Sequence, residues 1–287
     1  MKKILTAVAI ILALAACSNS ASSAPAASSS EAAPSESAAS SAAAAEATVL
    51  KIGATAAPHA EVLEFAAPLL EEKGITLEIT IFDDYVLPNT ALDQGDLHAN
   101  YFQHQPYLDY FNQQNGTELV SAGNIHYEPL GVYPGKSADL PAIADGAQVA
   151  IPNDGSNEAR ALYLLETQGL IKVDHSVGYE ATKLDVTENP KKLDLVELDA
   201  DKIPAALPDV DFAVINGNYA IAAGVNGTVL ITEDPNGESA LTYANIIAVR
   251  PENKDNAAIK TLIDVLHSKE VTDFMLEKYQ GSVQPIA

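Results

Sequence analysis

The sequence predicts an α/β fold built as two lobes. Strand-like and helix-like segments alternate from Thr48 to the C-terminus, the pattern of strands flanked by helices. About 240 residues follow the low-complexity N-terminal region, close to the upper limit for one core, which favours two lobes.

The elements follow in order. Residues 49–53 (Val-Leu-Lys-Ile-Gly) read as a strand, and 58–73 as a helix that Gly74 caps and Pro68 should kink or divide. Leu77, Ile79 and Ile81 alternate with Glu78 and Thr80, giving a strand with one more polar face. A short helix is expected over 88–94, a strand over 98–102 and a helix from 105 to about 114. Gln148–Pro152 reads as a strand, and 156–168 as a helix with Ser156 as its N-cap. Residues 193–198, 211–215 and 245–249 read as buried strands. Two helices close the chain: Ile259, Leu262, Ile263 and Leu266 form one stripe, and Val271, Phe274, Met275 and Tyr279 a second.

The N-terminus has a different texture. Lys2 and Lys3 precede an apolar run over 4–16 in which Thr6 is the only polar residue, and the run ends Leu14-Ala15-Ala16-Cys17. A basic start, an apolar run and small residues before a cut site make a secretory signal. The run is too short to span a membrane, which takes about 20 residues. Leu-Ala-Ala-Cys resembles the bacterial lipobox, in which the cysteine is acylated and becomes the new N-terminus. The other reading is a buried free cysteine near a processed end. Residues 18–47 are almost entirely Ser, Ala, Glu and Pro, too poor in apolar side chains to offset ordering entropy, and read as a disordered tether.

Composition excludes several function classes. Cys17 is the only cysteine, so the chain can form no internal disulfide. The formal charge of −23 becomes −25 when Lys2 and Lys3 leave with the signal, a surface repelled by nucleic acid and anionic lipid. No Gly-x-Ser-x-Gly, Walker A or Gly-x-Gly-x-x-Gly segment is present, and nothing else argues for catalysis. The six histidines form no metal-ligand spacing, although a site assembled from distant histidines, His104 among them, stays open.

Two segments could bind a small molecule. Asn153-Asp154-Gly155-Ser156-Asn157-Glu158-Ala159-Arg160 follows a strand and opens a helix, with Asn157 and Arg160 on one face of its first turn. Arg160 is one of only two arginines, and its planar fork suits a carboxylate. Its alternative is an ion pair with a nearby Asp or Glu. Residues 100–111 hold five of the chain's 17 Tyr and Phe at a strand-to-helix junction, where open α/β sheets place ligands. Ordinary packing of aromatic rings on a sheet is the competing explanation.

At these residues the chain resembles the lipoprotein family of methionine-binding components of ABC transporters. The matching blocks include Pro58-His59-Ala60-Glu61, residues 82–89, 99–108, 151–162, 184–191 and 211–216 with Tyr219-Ala220. The resemblance implies a two-lobed periplasmic-binding-protein-like fold, each lobe a mostly parallel sheet flanked by helices, with the ligand cleft between the lobes. It implies that Tyr85, Phe102, His104 and Tyr107 surround the ligand side chain. Asn157 and Arg160 would take its carboxylate, and Asn216 and Asn245 its amino and carboxylate groups. Some family members carry two threonines where this chain has Gly217-Asn218, which puts the choice of ligand in doubt more than its class. Gln105, where a lysine is common, should be a surface change.

The expectation is therefore a lipid-anchored protein on the extracytoplasmic face of the cell membrane that binds L-methionine. D-methionine, a methionine-containing dipeptide or another amino acid are the alternatives, and a metal-binding transport protein is a further one. Expected partners are an ABC permease and ATPase and the membrane through the lipid anchor, with no nucleic acid, no cofactor and no metal, and a monomeric state. The expected organisation is a signal over 1–16, the acylated cysteine and tether over 17–47, lobe 1 over 48–128 plus 243–287, and lobe 2 over 129–242.

Overall fold

The computed structural model describes residues 48–286; the signal, Cys17 and the tether lie outside the described residues. The chain begins with β1 (Thr48–Thr55), a turn over Ala56–Ala60, and α1 (Glu61–Glu71). It continues through β2 (Ile75–Phe82), α2 (Leu87–Gln94), β3 (Ala99–His104), α3 (Gln105–Asn115) and β4 (Val120–Tyr127). Next come β5 (Gly131–Pro134), β6 (Gln148–Pro152), α4 (Gly155–Thr167), the short β7 (Lys172–Val173) and β8 (Val186–Glu188), and β9 (Asp194–Leu198). The remainder is α5 (Ile203–Ala206), β10 (Phe212–Ile215), α6 (Gly217–Ala222), β11 (Ile231–Thr232), α7 (Glu238–Thr242), β12 (Ala244–Val249), α8 (Ala257–Leu266), α9 (Lys269–Tyr279) and β13 (Gln284–Pro285).

Two larger sheets organise these elements. One has the order β13-β4-β12-β3-β1-β2, and the other β11-β5-β10-β6-β9. The expected parallel pairing holds in one part of each. The strands β1, β2 and β3 are parallel, as are β6, β9 and β10. The pairings of β12, β4 and β13 in one sheet, and of β5 and β11 in the other, are antiparallel. Both sheets are thus mixed, which strand-helix alternation could not reveal, because the antiparallel members enter without a crossover helix.

Each sheet is covered on both faces. On one face of the first, Leu50 and Ile52 pack with Leu63 and Leu70 of α1, Leu262 and Leu266 of α8, and Met275 of α9. On the other, Phe102 and Ile246 meet Leu92 of α2 and Leu108 and Phe111 of α3. In the second sheet Val149, Ile151, Phe212 and Val214 meet Leu162 and Leu165 of α4. Its opposite face holds Ala150, Ala213 and Ile215 against Ile203 of α5 and Ala220 of α6. Burying each such leucine or isoleucine favours folding by about 1.5–3 kcal/mol, enough in number to replace any disulfide.

The chain leaves the first sheet after Tyr127, enters the second at Gly131, and returns from Thr232 to Ala244. These are two crossings. Because β12 returns between β3 and β4, it brings Asn245 opposite both His104 and His126.

Two local expectations are corrected. Pro68 lies inside α1 without dividing it; the helix continues to Glu71, and Gly74, at φ +77°, follows in the turn. The N-cap of α4 is Asp154, not Ser156. Its carboxylate accepts from the Asn157 backbone N–H at 3.0 Å, and the Ser156 hydroxyl donates to it at 3.2 Å from inside the helix. A carboxylate is the stronger partner for free helix N–H groups.

Candidate functional site

All eight residues singled out for ligand contact, Tyr85, Phe102, His104, Tyr107, Asn157, Arg160, Asn216 and Asn245, line one cavity of about 330 Å³. Gln103, Glu128, Gly217 and Asn218 complete its wall. The first sheet contributes the ends of β3 and β12, the second the end of β10 and the first turns of α4. This is the crevice at carboxyl ends of strands where α/β folds hold ligands.

The polar wall is set by a chain of dependencies that starts with a helix cap. His104 caps α3: its Nδ1 accepts from the Tyr107 backbone N–H at 3.2 Å. Burial, with Arg160 nearby, lowers the His104 pKa to about 3, so the ring is neutral and its proton sits on Nε2. Nε2 then donates to Asn157 Oδ1 at 3.1 Å, joining the two halves of the molecule. Asn157 Nδ2 donates to both Asp154 oxygens, at 2.9 and 3.0 Å, which fixes the amide orientation. Asn216 Nδ2 also donates to Asn157 Oδ1, at 2.9 Å. Asn216 Oδ1 is left as the one buried side-chain polar atom without a hydrogen-bond partner among the described residues. A buried acceptor left unpaired costs about 1–3 kcal/mol, so it marks a place for a donor.

Arg160 is buried and paired. Nε donates to Glu233 Oε1 at 2.8 Å, and Nη2 to Glu233 Oε2 at 2.5 Å and to the Glu128 carbonyl at 2.9 Å. Its guanidinium also lies 4.2 Å over the Tyr243 ring. Burial disfavours its charge, but Glu233 outweighs burial and holds the arginine more firmly protonated than usual. The ion-pair alternative is thus present in the structure, on the Nε–Nη2 edge, while the residue still lines the cavity. The other arginine, Arg250, is structural: Nη1 donates to the Leu92 and Leu97 carbonyls at 2.7 and 2.9 Å.

The apolar wall is aromatic. The Tyr85 ring lies 5.7 Å from Phe102, 5.5 Å from Tyr107 and 4.9 Å from Tyr219. Two hydroxyls bridge the halves: Tyr85 donates to Asn218 Oδ1 at 2.6 Å and Tyr219 to the Asp83 carbonyl at 3.0 Å. Behind this wall Asn89, Asn100 and Gln103 bond one another through their side chains at 2.6–2.9 Å and fasten α2 to β3. Gln105 is exposed and bonds Asp109, as a surface position should.

Sequence reading missed Glu128, at the first crossing. Glu128 Oε1 lies 2.7 Å from His126 Nε2 and 3.3 Å from His59 Nε2. Thr55 Oγ1 holds the far side of His59 at 2.7 Å, and the Tyr101 hydroxyl holds that of His126. His59 Nε2 also donates to Asn245 Oδ1 at 2.9 Å. The three residues have the donor types of a zinc site. Their contacts run as hydrogen bonds: two ligands at about 2.0–2.1 Å on a tetrahedral zinc would stand about 3.3 Å apart, beyond the 2.7 Å seen. His104 lies outside this group and is committed to its cap and to Asn157. A cue for Glu128 existed in the His-x-Glu-Pro order of 126–129, but the strand leading to it went unrecognised.

Among the described residues no helix is long and apolar enough to cross a membrane. Comparison with known proteins points one way. The chain is 40% identical over 240 residues to the methionine-binding lipoprotein MetQ of Bacillus subtilis, covering 82% of this chain and 87% of that one. It is 40% identical over 239 residues to the D-methionine-binding lipoprotein MetQ of Escherichia coli O157:H7, covering 81% and 86%. A nutrient-binding protein of Burkholderia cenocepacia, solved bound to methionine, superposes with a TM-score of 0.79 at 44% identity over 83% of this chain and 100% of that one. The model of the NlpA lipoprotein family matches residues 50–287, and the chain belongs to that family.

Proposed function

We propose that this protein is the substrate-binding component of an ABC importer for methionine, L-methionine first, and that it works by binding and closure without covalent chemistry. The observation that carries this reading is the single cavity that gathers all eight expected residues from both halves. Its aromatic wall suits a thioether, since sulfur–aromatic contacts contribute about 0.3–1.5 kcal/mol each. Nη1 of Arg160 and Nδ2 of Asn245 supply donors for a carboxylate, and Asn216 Oδ1 an acceptor for an amine. The cavity is at the small end of the usual 300–1,000 Å³ range, which favours one amino acid over a dipeptide.

Ligand contacts from both halves favour the closed arrangement, because only that arrangement makes both sets. The lobes in this reading are 48–128 plus 243–287 and 129–242. Cys17, acylated, anchors the protein on the extracytoplasmic face of the membrane and keeps it as a monomer near its permease and ATPase. The tether of 18–47 spans on the order of 30 Å, which raises the local concentration at the permease.

A thermal-shift panel of the twenty amino acids, D-methionine, a methionine dipeptide and zinc tests the assignment. A ligand that binds only the folded state raises the melting temperature. Methionine is expected to give the largest shift. A panel in which zinc alone shifts the transition overturns the reading.

A further inference from the structure

Glu128 poses a charge problem. It is 5% exposed, and burial pushes its carboxyl up to about 6 against the pull of His59 and Arg160, so it is an anion at neutral pH. No described cation neutralises it. Burial lowers His59 to about 4 and His126 to about 3, so both imidazoles facing it are neutral. The nearest guanidinium, that of Arg160, pairs with Glu233 and reaches only the backbone carbonyl of Glu128. A buried carboxylate without a counter-charge is expensive unless something supplies one.

The missing charge has an obvious place. Glu128 lines the cavity next to Gly217, where a Cβ would sit 2.7 Å from Glu128 Cβ and 2.8 Å from Oε2. The absence of a side chain at 217 is therefore what lets the carboxylate sit in the wall. The neighbouring Asn216 Oδ1 is the unpartnered acceptor of the same cavity. A carboxylate and an amide oxygen facing one small space ask for a cation with several N–H donors. A primary ammonium is such a group.

We propose that Glu128 is the counter-charge for the α-ammonium of the ligand, with His59 and His126 as positioning residues, and that it makes the site select amino acids over carboxylic acids lacking the amine. The inference rests on the cavity being the methionine site. It also gives the Gly217-Asn218 pair a role: Gly217 provides the space, and the Asn218 backbone N–H donates to the carboxylate.

The test compares L-methionine with 4-(methylthio)butanoate, the same molecule without its amine, by calorimetry on the full chain. Wild-type protein is expected to prefer methionine strongly. Glu128→Gln should weaken methionine by about 30-fold or more, the loss typical of a broken buried charge pair, and leave the des-amino acid within about threefold. Gly217→Ala, which displaces the carboxylate without removing it, should show the same selective loss and covers the case of a poorly folded Glu128→Gln. His126→Gln should also weaken methionine more than the des-amino acid; a merely structural role would lower both alike. Equal loss of both ligands in Glu128→Gln and Gly217→Ala, or unchanged methionine affinity, overturns the proposal. Wild-type protein that binds neither ligand overturns the assignment of the cavity itself, a distinguishable failure.

Discussion

Arg160 and Glu233 hold each other side-on, Nε to Oε1 at 2.8 Å and Nη2 to Oε2 at 2.5 Å, with both side chains buried. The pair does two jobs that a single substitution would confuse. It aligns the guanidinium toward the cavity, and it neutralises a buried anion. Arg160→Ala should therefore lower stability by about 3–5 kcal/mol, because Glu233 is left unpaired. Arg160→Met combined with Glu233→Gln should recover most of that stability in denaturant unfolding. Neither variant should bind methionine within several kcal/mol of wild type. A double variant with wild-type affinity would show that the carboxylate is held elsewhere.

Asn216 offers a cleaner separation of binding from folding. Its Oδ1 has no partner and its Nδ2 makes one bond, to Asn157. Asn216→Ala should change stability by no more than about 1 kcal/mol, since a lost bond is set against a relieved orphan. Methionine affinity should fall about tenfold or more. Chemical denaturation and calorimetry on the same sample read both quantities.

Closure has its own contacts. Tyr85 reaches Asn218 and Tyr219 reaches the Asp83 carbonyl, each from one half to the other. Tyr85→Phe keeps the aromatic wall and removes one bridge. It should favour the open arrangement by about 1 kcal/mol, visible as a larger radius of gyration in small-angle scattering without ligand and a several-fold weaker affinity. An unchanged radius together with unchanged affinity would remove the hydroxyl from the closing device.

Acid should expose the buried imidazole of His126. Its folded pKa is lowered by burial to about 3, against an ordinary value of 6.5. Between those values the unfolded chain binds a proton that the folded chain does not, so stability falls as pH drops through that window. His126→Gln lacks this term. Its stability should decline less steeply than wild type between pH 6.5 and about 4, measured by urea unfolding at several pH values. Parallel curves would mean that His126 titrates normally in the folded protein.

Much of this architecture was legible before the structure, and the gaps have physical causes. Long segments with a clear period, such as α8 with Ile259, Leu262 and Leu266, announce their buried face. The strands β4 and β5 do not: β4 carries Ser121, Gly123, Asn124 and His126, and its place depends on partners distant in sequence, chiefly β12. Missing β4 meant missing Glu128, which follows it. The cap of α4 was misplaced because Asp154 and Ser156 are both good caps, and only three-dimensional geometry decides between them. For Arg160, sequence reading offered a ligand clamp or an ion pair as rivals; the guanidinium has two edges, and the ion pair uses one of them.

The central claim is that this cavity binds methionine. The most direct measurement is calorimetric titration of the purified full chain with L-methionine, with D-methionine and zinc as separate titrants. The account predicts saturable one-to-one binding of L-methionine in the micromolar range or tighter, about −8 kcal/mol or below. No heat from any amino acid, with saturable binding of zinc, would contradict it.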